Sequence, residues 1–250
     1  PPGYQNAVEL FNGTAWTTSP ASLSTARRDP GGIGTVNTAV LMVGGAPAPG
    51  AATADNESFN GTTWTELNNL TTARKGLQPG GAGSTTAGLI SGGASAPGAV
   101  QAVSETWDGT SWTEGNNMNT ARESLVKFGT STAALNAGGY TTTYVGIAES
   151  YNGTSWTEVN NLNTARAWLA GTGTNTAGLA FGGDVPPTTA KTEAWDGTSW
   201  TEVADLATAI GNQGGSGGGA TSALSFGGSG YTTATEEWTV PNATKTFTAS

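Results

Sequence analysis

One eight-residue phrase recurs five times along this 250-residue chain, and a repeat of that kind constrains the fold more tightly than any local propensity. The copies are Glu9-Leu-Phe-Asn-Gly-Thr-Ala-Trp16, Glu57-Ser-Phe-Asn-Gly-Thr-Thr-Trp64, Glu105-Thr-Trp-Asp-Gly-Thr-Ser-Trp112, Glu149-Ser-Tyr-Asn-Gly-Thr-Ser-Trp156 and Glu193-Ala-Trp-Asp-Gly-Thr-Ser-Trp200. Their closing tryptophans are 48, 48, 44 and 44 residues apart. Two further landmarks keep the same beat: the pairs Gly44-Gly45, Gly92-Gly93, Gly138-Gly139, Gly182-Gly183 and Gly227-Gly228, and the Ala-Arg steps ending at Arg27, Arg74, Arg122 and Arg166. The fifth step reads Ala209-Ile210 and lacks its arginine.

Each unit reads as four strands. Asn-Gly or Asp-Gly between an aromatic strand and a Trp-Thr strand predicts a tight hairpin with positive φ at both central residues, joining strands c and d. Upstream lies a second hairpin: a glycine-rich strand a from about Ala167, a turn near Thr174 to Thr176, and an apolar strand b, Gly178 to Phe181, ending at the glycine pair. Glycine suits strand a if these strands crowd a common axis. A four-stranded sheet of this length cannot bury both faces alone, so the units must stack. Radial closure leaves short, protected edges and is preferred to a linear array. The predicted fold class is therefore all-β, a five-bladed β-propeller of four-stranded antiparallel blades forming one domain over residues 1–250.

The apolar strand ending in a double glycine, the variable loop, the aromatic strand and the Trp opening the last strand together resemble the kelch repeat from about Glu9 to Trp238. The runs Asn161-Leu-Asn-Thr-Ala-Arg166 and Thr235-Glu-Glu-Trp238 are more similar still to Thr-, Asn- and Gly-rich kelch repeat proteins of marine bacteriophages and environmental bacteria. That resemblance implies a virion or extracellular surface setting. There are five a–b hairpins but six c–d candidates. The N-terminal hairpin (9–29) is expected to be the ring clasp, with 236–250 adding a C-terminal strand. The start at Pro1 suggests a processed or excised piece.

Composition narrows the function classes. Net charge is −9 with nine scattered basic residues, so there is no basic stripe for nucleic acid. No apolar run is long enough for a membrane helix. With no His and no Cys, His-dependent triads, thiol nucleophiles and the usual zinc or copper sites are unavailable, which excludes kelch-type copper oxidases. No calcium-loop pattern is present, and neither a metal nor another cofactor is expected.

The repeated Glu9, Glu57, Glu105, Glu149, Glu193 and Glu236 match the repeated arginines in near-equal number, and are expected to form structural ion pairs. Phe11, Phe59, Trp107, Tyr151 and Trp195 recur at one position and are expected to pack between blades. Residues that break the pattern are better binding candidates. Immediately after the Ala-Arg steps come Arg28, Asp29, Lys75, Glu123, Trp168 and Asn212-Gln213, which a ring would gather at one mouth of its channel. The loops after the glycine pairs also vary, and offer Tyr140, Tyr144 and Tyr231.

These features give a non-catalytic binding or structural module on a virion or other extracellular surface, such as a phage tail-fibre or decoration protein. Its partner would be a surface polysaccharide or another surface protein. Two alternatives stand beside it: a purely structural subunit, and a glycosidase using paired carboxylates. The carboxylates outside the repeat are Asp29, Asp55, Glu123, Asp184, Asp205 and Glu237, of which Asp29 and Glu123 fall near the mouth.

Overall fold

In a computed structural model, which describes residues 4–78, 80–230 and 232–239, the repeat folds into antiparallel sheets arranged as five blades. Blade 1 comprises Gly31–Val36, Ala39–Val43, Asn56–Phe59 and Trp64–Glu66, strands a to d in order. Blade 2 comprises Ala82–Ser84, Ala87–Ser91, Ser104–Trp107 and Trp112–Glu114. Blade 3 comprises Val126–Thr130, Ala133–Ala137, Ala148–Tyr151 and Trp156–Val159. Blade 4 comprises Ala170–Thr174, Ala177–Phe181, Thr192–Trp195 and Trp200–Glu202, and blade 5 has Gly214–Gly219, Ser222–Phe226 and Thr235–Thr239.

The a strands line the central channel, and their glycines are required there. A Cβ on Gly171 would sit 2.4 Å from the Leu179 carbonyl oxygen and 2.6 Å from Val126 Cγ2 of the neighbouring blade. The c–d aromatics pack onto the preceding blade. Trp107 and Trp112 of blade 2 join Ile33, Leu41 and Val43 of blade 1. Tyr151 and Trp156 join Ala82 and Leu89, and Trp195 and Trp200 join Val126 and Leu135. The repeated aromatics are thus interblade core, as expected.

The hairpin turn differs from expectation. Pairing stops at Tyr151 with Trp156, leaving a four-residue loop in which Gly153, but not Asn152, has positive φ. The Asn152 carbonyl oxygen accepts the backbone N–H groups of Thr154 and Ser155, both at 2.9 Å. This Asx turn does the work assigned to a two-residue turn, and Asp108 and Asp196 repeat it.

The arginines and glutamates pair as expected. Arg27 meets Glu57 at 2.9 Å and Arg74 meets Glu105 at 2.8 Å, with Arg122–Glu149 and Arg166–Glu193 equivalent. All eight residues are buried. Each glutamate also accepts backbone N–H groups from the connector that enters its blade: Ser24 on Glu57, Thr71 on Glu105, Asn119 on Glu149 and Asn163 on Glu193. The pairs therefore tie each entering loop to strand c. Burial draws the arginines below their ordinary pKa, and the facing glutamates oppose that shift. In blade 5, Glu236 accepts the N–H groups of Ala207 and Thr208 without an arginine. Glu9 is exposed and has no ion pair among the described residues.

At the seam, strand b of blade 5 pairs with Thr235–Thr239. The N-terminal strands Glu9–Phe11 and Trp16–Thr18 form their own two-stranded sheet. Trp16 packs at a tilt against Phe226, ring centroids 4.9 Å apart, and donates its indole N–H to the Thr235 hydroxyl, while the Phe11 carbonyl accepts from the Asn37 amide of blade 1. The hairpin so touches blades on both sides of the seam. The part of the expected C-terminal strand beyond residue 239 lies outside the described residues.

Candidate active site

Two residues past each Ala-Arg step, every blade entrance takes a left-handed backbone turn. Asp29 (φ 57°), Gly76 (64°), Ser124 (57°), Trp168 (53°) and Asn212 (57°) occupy equivalent places. Asp and Asn tolerate this conformation, but for a bulky residue such as Trp168 it is a strained outlier. The turn is held by hydrogen bonds running from blade to blade. Leu77 N–H donates to Asp29 O, Ser124 to Gly76, Trp168 to Ser124 and Asn212 to Trp168, all between 2.9 and 3.1 Å.

The residue before each turn pairs with the one after a glycine pair: Arg28 with Ala46, Lys75 with Ala94, Glu123 with Tyr140 and Ala167 with Asp184. The glycine pairs bring these segments together, because the second glycine donates its N–H to the carbonyl at the end of the next Ala-Arg step, as Gly139 does to Arg166 at 2.8 Å. A Cβ on Gly138 would stand 2.6 Å from that oxygen. The pattern-breaking residues are thereby gathered around one opening. A mouth cavity of about 670 Å³ is lined by Arg28, Asp29, Gln78, Trp168, Asp184 and Asn212, among others.

Asp29 of blade 1 and Glu123 of blade 3 both lie within the field of Lys75 of blade 2. Burial pushes the Asp29 carboxyl above its ordinary pKa, and Arg28 and Lys75 pull it part of the way back. Burial also raises Glu123; Lys75 opposes that shift, and the charge of Asp29 adds to it. Blade 2 carries glycine at its left-handed turn, and the Glu123 carboxyl fills the space a side chain would take: a Cβ on Gly76 would lie 2.3 Å from Glu123 Oε2. Arg28 reaches Asp29 at 3.5 Å, and Lys75 Nζ donates to Pro97 O at 3.3 Å.

Beside the carboxyls stands an aromatic cluster. Tyr140 lies 5.4 Å from Tyr144, and Trp168 lies 5.9 and 6.0 Å from the two tyrosines. All three are half-buried, and Trp168 lines the mouth. Asp184 is close enough for its charge to help raise the Tyr144 hydroxyl, after burial. Burial raises Asp184 itself, and its Oδ1 is buried without a hydrogen-bond partner. Both polar atoms of the Gln78 amide are likewise buried and unpartnered.

Of the candidates read from the sequence, Arg28, Asp29 and Trp168 line this mouth; Lys75 and Glu123 adjoin it through the field they share with Asp29, and Tyr140 and Tyr144 through their packing on Trp168, while Tyr231 lies outside the described residues. Asp184 was read only as a loop carboxylate. Its place directly after Gly182-Gly183, matching Tyr140 after Gly138-Gly139, is the signal that would have put it at the mouth. Gln78 carried no signal. Among the described residues, no group of three or more His, Cys, Asp or Glu is arranged to hold a metal ion.

No protein-family model matches the chain, and no curated protein is similar to it. Among solved structures it is similar to one titled "Structure of YjhT", with a TM-score of 0.75 and 11% identity over 95% of this chain and 89% of that one. The likeness is one of fold. It supports the kelch-like blade architecture and overturns the expected kinship with phage and marine kelch repeat proteins: the Thr, Asn and Gly richness behind that resemblance belongs to turns and channel walls, which any sequence building such blades must supply. The expectation of a non-catalytic binding or structural module on a virion rested on the same resemblance and is corrected with it, as is the expectation of no enzymatic activity. No helix of the described residues is long and apolar enough to cross a membrane.

Proposed function

We propose that the channel mouth is the active site of an enzyme acting on glycosidic bonds with a carboxylate pair. Glu123 is the proton donor and Asp29 the ionised partner. The observation that carries this reading is that two half-buried carboxyls, from blades 1 and 3, share one neighbouring lysine, and the charge of Asp29 reaches Glu123, next to a cluster of three half-buried aromatic rings. Glycoside cleavage needs one carboxyl that holds a proton and one that does not, and a difference in surroundings divides the roles. Two cations, Arg28 and Lys75, favour the charged form of Asp29, whereas on Glu123 Lys75 alone does so and the charge of Asp29 works against it. Trp168, Tyr140 and Tyr144 offer flat faces on which a sugar ring stacks, and Arg28 and Lys75 bind its hydroxyl or acidic groups.

The test is release of reducing ends from a panel of polysaccharides, with Asp29→Asn and Glu123→Gln beside the parent chain. Turnover is expected in the parent and a loss of at least about a hundredfold in each variant, the range of a lost general acid. The sign of the pH profile is fixed as well. Glu123 must be protonated, so activity falls as pH rises through its raised pKa. Any residual activity of Asp29→Asn loses that limb at lower pH, because the neighbouring charge has gone. Turnover undiminished in both variants, or no release from any glycan, overturns the assignment.

A further inference from the structure

The channel below the mouth holds a second chemical group. Residues facing the repeated glutamates in the sheet register are equivalent from blade to blade, and their partners on strand a are Gly32, Lys127, Gly171 and Gly215; in blade 2 the ladder ends at Ala82 with Leu89, and Gly81 is the next residue along. Four blades thus present glycine where blade 3 presents a lysine. Lys127 lines a channel of about 400 Å³ whose walls are otherwise mostly glycine with a few hydroxyl residues. It is 5% exposed and has no carboxylate partner among the described residues. Its Nζ donates to Leu77 O at 2.8 Å and to Leu125 O at 3.4 Å, its only hydrogen bonds among the described residues.

That environment suits an amine rather than an ammonium ion. A neutral amine has two N–H groups and one lone pair. The two carbonyls account for both N–H groups, and the lone pair is left for the channel. Burial, with the charges of Arg74 and Arg122, pulls the side chain down to about 7. Those two guanidiniums are already committed to Glu105 and Glu149. A desolvated lysine beside other cations is the setting in which lysine becomes a nucleophile toward carbonyl carbon.

We infer that Lys127 is a reactive amine that captures small aldehydes entering the glycine-walled channel. Nitrogen attacks the carbonyl carbon and an N–C bond forms. The carbonyl oxygen departs as water with the two amine hydrogens, leaving an imine; no electrons are gained or lost. Protonation of the imine restores one N–H for Leu77 O.

The experiment uses the intact folded chain, glycolaldehyde as the probe and cyanoborohydride at pH 7 to fix any imine, followed by peptide mass spectrometry. An ordinary lysine is about a thousandfold less deprotonated at this pH, and a narrow channel returns part of that advantage, so Lys127 should label roughly tenfold faster than Lys75 or Lys191. Urea-unfolded chain should label its lysines evenly. Lys127→Met, checked for native fold by circular dichroism, should lose the fast phase and keep the slow one. Labelling of Lys75 and Lys191 with Lys127 untouched until the chain unfolds overturns the inference and leaves Lys127 as a structural donor. A fast phase that survives in Lys127→Met also overturns it.

Discussion

Glu149→Gln is the sharpest perturbation of the scaffold. Arg122 and Glu149 are both 0% exposed. The carboxylate accepts from the Arg122 guanidinium, from the Asn119 backbone N–H at 2.7 Å, from the Asn119 amide at 2.9 Å and from the Thr120 N–H at 3.3 Å. Glutamine keeps the shape, but one oxygen becomes an NH₂ that points a donor at donors. The guanidinium is left in the interior without its counter-charge. Breaking a buried pair by removing one partner costs about 3–5 kcal/mol, against a total stability on the order of 5–15 kcal/mol. Blade 5 supplies an internal control, since Glu236 holds the same connector, through Ala207 at 2.7 Å and Thr208 at 3.2 Å, but is half exposed and has no arginine. Glu236→Gln should cost less than about 1 kcal/mol. Urea unfolding followed by tryptophan fluorescence measures both, provided the denaturant slopes agree. Equal losses in the two variants would mean that the glutamate matters as a loop cap and that the ion pair adds nothing, which refutes the reasoning.

Two further outcomes follow from the channel and its mouth. Lys127 titrates at about 7 when folded and near 10.5 as a free side chain, so the unfolded chain binds more protons between those values and stability rises with pH across that window. Lys127→Met, which also removes the charge facing Arg74 and Arg122, should therefore gain on the order of 5 kcal/mol relative to the parent at pH 6 and lose most of that gain by pH 10; a gain independent of pH in urea titrations contradicts this. At Trp168, whose φ is 53°, the usual order of truncation should invert: Trp168→Gly should be more stable than Trp168→Ala by about 1–2 kcal/mol, because only glycine adopts that backbone without penalty. Thermal melts of the two variants decide it, and an alanine variant at least as stable as glycine refutes the strain.

The architecture was legible because it repeats. A Glu, an Arg, a glycine pair and a Trp returning in step can only be shared structural parts, and the buried pairs and interblade aromatics follow from that. The mouth was legible by subtraction, since Asp29, Lys75, Glu123 and Trp168 stand where the repeat falls silent. What escaped were features set by relations between blades. Nothing in a one-dimensional reading shows that the Glu123 carboxyl lies over Gly76, forty-seven positions earlier, or that Asp29 reaches past a whole blade to influence it. The hairpin turn misled because Asn-Gly satisfies two geometries, and a side-chain hydrogen bond from Asn152 selects the longer. Lys127 was invisible because its meaning lies in four glycines at the same height in other blades.

The left-handed turns at the blade entrances have a consequence for how such a molecule changes over time. Each is held by backbone hydrogen bonds that do not depend on which side chain stands there, and Asp, Gly, Ser, Trp and Asn already occupy the five places. The load of the ring is carried elsewhere, by arginines and glutamates that never reach the opening. Four of the five positions therefore behave as exchangeable sockets on a common mount, the place at Gly76 being taken by the Glu123 carboxyl: one substitution exchanges a carboxylate for an indole or for empty space while the walls stay put. New specificities can be sampled one socket at a time, without the collapse in stability that usually follows from altering a catalytic pocket.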